Sequence, residues 1–203
     1  MFQSIKTTLS SLTFGCLLLS ANNVLWASAL DLTVSDEAGQ IKYESAYDIT
    51  NFYYSLGVLS FDSDADNTAA AADGKAWYIG FALTEAVSGQ SRVGLGVKIN
   101  QVSIDVDSVL VNDFDGGALA IGGYAHLFLP ANEKFRMRAE AYFGPDAIAY
   151  DDISEYSEFG IQFEYNIIQN AVVMLGYRQI SVDIFEQDFD LDDDAYFGVR
   201  LEF

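Results

Sequence analysis

The chain has 203 residues and carries 30 Asp and Glu against 10 Lys and Arg, a net charge of -20. That surplus excludes nucleic acid as a partner, because its phosphates would be repelled. Tyr, Phe and Gly are abundant and Pro occurs only twice, a balance that suits strands and disfavours a helical enzyme.

The first 29 residues read as a secretory signal peptide. Lys6 supplies a short basic region, an apolar stretch runs around Leu12 to Leu19, and Ala27-Ser28-Ala29 precedes Leu30 as an A-x-A cleavage pattern. The apolar core, about 11 residues, is too short to span a bilayer. Cys16, the only cysteine, lies inside that core and is expected to leave with it, so residues 30–203 have no disulfide or thiol chemistry. Beyond residue 29 no apolar run approaches the ~20 residues of a transmembrane helix.

From Leu30 onward the dominant pattern has period two. Leu30, Leu32 and Val34 alternate with Asp31 and Thr33, and Ile41, Tyr43 and Tyr47 recur after a Ser-Asp-Glu-Ala-Gly turn. Residues 30–49 are therefore expected to be either an up-down hairpin or a plug segment. Residues 51–61 read as a strand. In 76–86 the apolar column is Trp77, Ile79, Phe81 and Leu83; in 92–100 it is Val93, Leu95, Val97 and Ile99, set against Arg92, Gly94, Gly96 and Lys98. Residues 117–129 and 171–182 are apolar on both faces. In 135–144 Phe135, Met137, Ala139, Ala141 and Phe143 oppose Arg136, Arg138, Glu140 and Tyr142. In 156–167 Phe159, Ile161, Phe163, Tyr165 and Ile167 oppose Glu158, Gln162 and Glu164. The closing stretch sets Phe197, Val199, Leu201 and Phe203 against Tyr196, Gly198, Arg200 and Glu202. Tyr196, Phe197, Val199, Leu201 and Phe203 form the expected membrane-insertion signal and the contact for the barrel-assembly machinery.

Repeated half-apolar strands with no charge on the apolar side are the pattern of a transmembrane barrel, where a charge at the bilayer midplane costs roughly 2–4 kcal/mol. A soluble sandwich is disfavoured because the opposite column mixes charge with glycine, which fits a narrow lumen. The fold expected is all-β, an antiparallel up-and-down transmembrane barrel. Connections alternate between short (86–91, 130–134, 167–170) and long (62–74, 103–116, 145–157, 183–194), matching short periplasmic turns and longer external loops. Strand counts in such barrels are even, so the hairpin reading gives ten strands, favoured over eight.

Charge divides the molecule. The expected long loops hold acidic residues and no Lys or Arg: Asp62, Asp64, Asp66 and Asp73; Asp105, Asp107, Asp113 and Asp115; Asp146, Asp151, Asp152 and Glu155; then Asp183 to Asp194. A solvated, mobile surface is one reading. Capture of Ca²⁺ or Mg²⁺ that bridges carboxylates to lipopolysaccharide is the other. Asp62, Asp64, Asp66 and Asp73 imitate a Ca²⁺ loop, without its central Gly, final Glu or flanking helices. Arg92, Lys98, Arg136, Arg138, Arg178 and Arg200 share the inward columns with Glu140, Glu158, Glu164 and Glu202. A structural ion-pair network is favoured there over a water-filled pore, because side chains nearly fill a barrel of this size. His126 is the only histidine. With no serine two residues away on its face, it is read as structural, and no catalytic residues or cofactors are expected.

The segments Phe135-Arg-Met-Arg-Ala-Glu-Ala-Tyr-Phe-Gly-Pro-Asp146, Ser157-Glu-Phe-Gly-Ile-Gln-Phe-Glu-Tyr165, Val173-Met-Leu-Gly-Tyr-Arg178 and the terminal Tyr-Phe-Gly-Val-Arg-Leu-Glu-Phe203 resemble the YfaZ family of outer-membrane proteins. The likeness covers most of residues 75–203. It implies a small bacterial outer-membrane barrel and brings no catalytic or ligand residues with it. The expected role is a structural or surface-interaction protein, monomeric, whose partners are outer-membrane lipid and lipopolysaccharide. A narrow cation-preferring channel is the alternative, and a lipid-modifying enzyme using His126 comes third.

Overall fold

The computed structural model describes residues 26–47, 51–63, 72–106, 114–129, 134–184 and 187–203. Its strands are β1 (Trp26–Val34), β2 (Ala38–Tyr47), β3 (Phe52–Ser63), β4 (Ala72–Ser88), β5 (Ser91–Val106), β6 (Phe114–Phe128), β7 (Phe135–Gly144), the short β8 (Ala149–Asp151), β9 (Ile153–Ile168), β10 (Ala171–Ile184) and β11 (Gln187–Glu202). Each long strand pairs antiparallel with the next, β7 pairs β9, and β1 pairs β11. Ten strands thus close a barrel, and closure leaves no edge within the bilayer. Of residues 30–49, the described part, 30–47, enters this wall as a hairpin, β1 with β2, rather than as a plug. β1 begins four residues before Leu30, so Ser28 exchanges two backbone hydrogen bonds with Phe203.

Alternation decides which side each residue takes. Leu83, Leu95, Phe163, Leu175, Phe197 and Leu201 are exposed on the outer face, where lipid covers them. The intervening residues point inward and are mostly buried. The inward glycines make room for tyrosines: Gly57 faces Tyr78, Gly94 faces Tyr124, Gly122 faces Tyr142 and Gly176 faces Tyr196 across adjacent strands. A Cβ on Gly57 would lie 2.2 Å from the Tyr78 ring, and one on Gly176 would lie 2.5 Å from Tyr196. Each ring covers the backbone that its glycine leaves bare.

The expected long loops prove shorter. β10 and β11 are extended up to Ile184 and from Gln187, so 183–194 is mostly hairpin, and β5, β6 and β9 likewise run far into 103–116 and 145–157. The reason is the inward column. Val102, Ile104, Ile153, Val182, Ile184 and Leu191 alternate with the acidic residues and pack with Leu59, Phe61, Tyr156 and Ile180 into one core. Outside the membrane a strand can carry carboxylates on its outer face while it buries apolar groups within. The outer end of the lumen is accordingly apolar, where the sequence pattern predicts charge throughout the interior.

Candidate functional site

Below that apolar cap the lumen is ionic. Six cations, Lys42, Lys98, Arg136, Arg138, Arg178 and Arg200, meet six carboxylates, Asp31, Glu44, Glu140, Glu158, Glu164 and Asp192. Arg200 grips both oxygens of Asp31 at 2.7 and 2.6 Å and reaches Glu44 and Glu164 at 3.0 Å each. Arg138 donates to Glu44 at 2.7 Å and to the Tyr53 hydroxyl at 2.8 Å. Lys42 sits 2.9 Å from Glu44 and 3.6 Å from Glu140. Lys98 donates to Glu158 at 2.7 Å and lies over the rings of Tyr78 and Tyr142. Arg178 binds Asp192 and donates to Gln40 at 2.7 Å. Charges taken from water need partners, and those of Arg138 and Arg200 come from strands far apart in sequence, Glu44 and Asp31.

The periplasmic end holds the rest. Arg136 lies 2.9 Å from Glu164 and 2.8 Å from Glu202. His126 Nε2 is 3.6 Å from Glu164, and its ring packs against Phe128. Arg92 is half-buried opposite His126 in the β5–β6 register. Tyr196 turns inward and donates to Gln162, whereas Phe197, Val199, Leu201 and Phe203 face out. Asp192, grouped from sequence with the external carboxylates, is fully buried. It sits beside a bulge that turns both Leu191 and Asp192 inward and bonds Arg178 and Ser35. The lumen set legible in the sequence lacks Asp31, Lys42 and Glu44. Their signal lies in the hairpin, where each alternates with Leu30, Ile41 or Tyr43.

Packing leaves little space. A cavity bordered by Lys42, Arg138, Glu140, Gln162 and Arg178 has a volume of about 10 Å³ for water centres, room for about one water. The outer rim is different. Across β3, β4 and β5 the residues Asp62, Asp73 and Asp105 oppose one another directly, and across β9, β10 and β11 so do Glu155, Asp183 and Asp188. Like charges directly opposed across a sheet repel. Among the described residues no group of three or more acidic, His or Cys side chains closes to metal-ligating geometry. Of the proposed Ca²⁺ loop, Asp62 and Asp73 are cross-strand partners, and Asp64 and Asp66 lie outside the described residues.

The barrel has relatives in shape. It aligns with the outer-membrane protease OmpT of Escherichia coli at 10% identity and TM-score 0.49, covering 88% of this chain and 93% of that one. Neisserial surface protein A aligns at 10% identity and TM-score 0.38, with 88% and 94% covered. The outer membrane channel DcaP of Acinetobacter baumannii gives 14% identity and TM-score 0.43, with 85% of this chain covered; this chain spans about half of that channel, 54%. The curated proteins give no significant match. A closed ten-stranded barrel with an apolar outer belt belongs in the bacterial outer membrane. The family model described as YfaZ precursor matches residues 24–203, and the chain belongs to that family of outer-membrane β-barrels.

Proposed function

We propose that this protein is a sealed outer-membrane barrel with a structural and surface-interaction role, exerted at its acidic outer rim. The observation that carries the reading is the contrast between an interior whose six cations and six carboxylates balance and an outer face with two rows of directly opposed carboxylates. Ca²⁺ or Mg²⁺ between those rows and the phosphates of lipopolysaccharide would relieve the repulsion, since both are hard cations that take carboxylate and phosphate oxygens. The lumen gives no support to transport: apolar side chains fill its outer end and paired charges its middle. We read it as non-catalytic, His126 serving to pack beside Glu164.

The test has two readouts. Residues 30–203, refolded into planar bilayers, are expected to stay silent. Discrete cation-selective steps that change in Arg138→Ala or Glu140→Ala variants would establish the narrow-channel alternative instead. In liposomes that contain lipopolysaccharide, Mg²⁺ is expected to raise the thermal midpoint of the parent protein but not of an Asp73→Asn, Asp183→Asn double variant. Equal response of both proteins would remove the carboxylate rows from the reading.

A further inference from the structure

The A-x-A pattern expected to end the signal peptide lies within the barrel wall. β1 has nine residues, and the first four, Trp26 to Ala29, pair one by one with Tyr47 to Glu44 of β2. On the other side Ala29 stands opposite Glu202. The Ser28 N–H donates to the Phe203 carbonyl at 3.0 Å, and the Phe203 N–H donates back at 2.9 Å. The Ser28 hydroxyl also meets those of Tyr43 at 3.1 Å and Ser45 at 3.2 Å. A cut after Ala29 removes all of these contacts. It leaves five strand residues, Leu30 to Val34, where a membrane-crossing strand needs about 9–11. Five residues at ~3.4 Å each reach about 17 Å before tilt, short of an apolar belt of about 25 Å. The periplasmic ends of β2 and β11 would then face each other as unpaired edges, and unpaired backbone is not tolerated against lipid. Asp31, which holds Arg200 at 2.7 and 2.6 Å, would become the second residue of a frayed chain end.

We propose that the leader is cut after Ala21, so that Ala27-Ser28-Ala29 is retained as the start of β1. Ser20 and Ala21 are the first small residues after the apolar stretch. A leader that ends there, with Lys6 near its start, lies within the ~15–30 residues of secretory signals. Hydrolysis by a membrane-bound signal peptidase breaks the Ala21–Asn22 peptide bond. Water supplies the hydroxyl of the new Ala21 carboxyl and the hydrogen of the new Asn22 amine. The cut also detaches the apolar stretch that presents the chain to the peptidase, so Ala29 goes unread. The family match points the same way, since it begins at residue 24, before β1. Alternation alone does not separate the two sites, because Leu30, Leu32 and Val34 read as a strand from either start. This inference is independent of the surface role proposed above.

The test is N-terminal sequencing and intact mass of the protein taken from outer membranes of a Gram-negative host that expresses the full chain. Asn22 is expected as the first residue. A chain that starts at Leu30, or at any residue after Trp26, would overturn the proposal. Ala21→Lys, which spoils the cut position, is expected to abolish the Asn22 terminus, and Ala29→Lys to leave it in place; the reverse pattern would overturn the proposal as well. A stability readout is separate from processing. In the same vesicles residues 30–203 are expected to unfold at a lower urea midpoint than residues 22–203, with amide exchange at 44–47 faster by about tenfold or more. Equal midpoints and equal exchange would mean that β1 needs no more than Leu30 to Val34, and the proposal would fall. The conductance and Mg²⁺ readouts above report on the apolar cap and the outer rim, at the other end of the wall, so their outcome is separable from this one.

Discussion

At the scale of single residues, two kinds of contact hold this interior: tyrosine on glycine, and cation on carboxylate. The first is steric. Gly176→Val would push a Cβ into the Tyr196 ring, 2.5 Å away, and overpacking of this kind costs about 1–3 kcal/mol. Gly39→Val, whose Cβ would meet open space, is expected to be neutral. Urea midpoints of the two variants, measured in the same lipid, check the contrast. The second is electrostatic. Arg200→Met would strand Asp31 and Glu164 without their main partner, and breaking a buried pair from one side costs about 3–5 kcal/mol. Adding Asp31→Leu to that variant is expected to recover part of the loss, because an uncompensated charge goes with it. A recovery of zero in the double-mutant cycle would mean that Asp31 is neutralised by Lys42 instead, whose amine stands 4.0 Å from it.

At the scale of the element, one strand passes through two environments. β5 shows Val93, Leu95, Val97 and Ile99 to lipid, then Gln101, Ser103 and Asp105 to the outer surface. Its inward residues change as well, from Lys98 and Asn100 to Val102 and Ile104. The two faces therefore exchange polarity at about the same height. Inside the membrane, the lumen takes charge because lipid excludes it. Above the membrane, water takes the charge and the lumen closes on apolar groups. Leu95→Arg is expected to destabilise the barrel by about 2–4 kcal/mol in bilayers. Ser103→Arg, on the same face of the same strand, is expected to stay within about 1 kcal/mol of the parent. Reversible unfolding from vesicles distinguishes them, and equal losses would place the outer boundary of the belt above Ser103.

At the scale of the whole molecule, the interior is balanced and the surplus of acid lies elsewhere. Among the described residues six cations are buried, and the whole chain has only ten Lys and Arg, so very little positive charge is left to answer the carboxylates outside. Surface charge of one sign is felt over about a Debye length and is screened by salt, whereas buried pairs are screened much less. Raising monovalent salt is thus expected to stabilise the parent barrel against heat. The Asp73→Asn, Asp183→Asn variant should gain less, and Arg200→Met should gain as much as the parent. A lumen pair that weakened with salt would show that bulk solvent enters the barrel, and the sealed reading would fail with it.

The amino-acid sequence by itself determined the location and the class of fold, because lipid tolerates no charge and strands alternate: one uncharged column in each of Val93–Ile99, Phe135–Phe143 and Phe197–Phe203 was enough. It also assigned Arg136, Arg138, Arg200 and Glu164 to the interior, for the same reason. Only the tertiary structure decided which of them pair, since Arg200 meets Asp31 across 169 positions of chain and no local pattern encodes that register. Only closure of the barrel made the β1–β2 hairpin part of the wall and brought Glu44 to Arg138 and Lys42 to Glu140. The acidic segments read as loops because aspartate is a poor strand former. They became strands because Val182, Ile184, Phe189 and Leu191 found an apolar core between them, a packing gain that exists only once both sides of the lumen have been brought together.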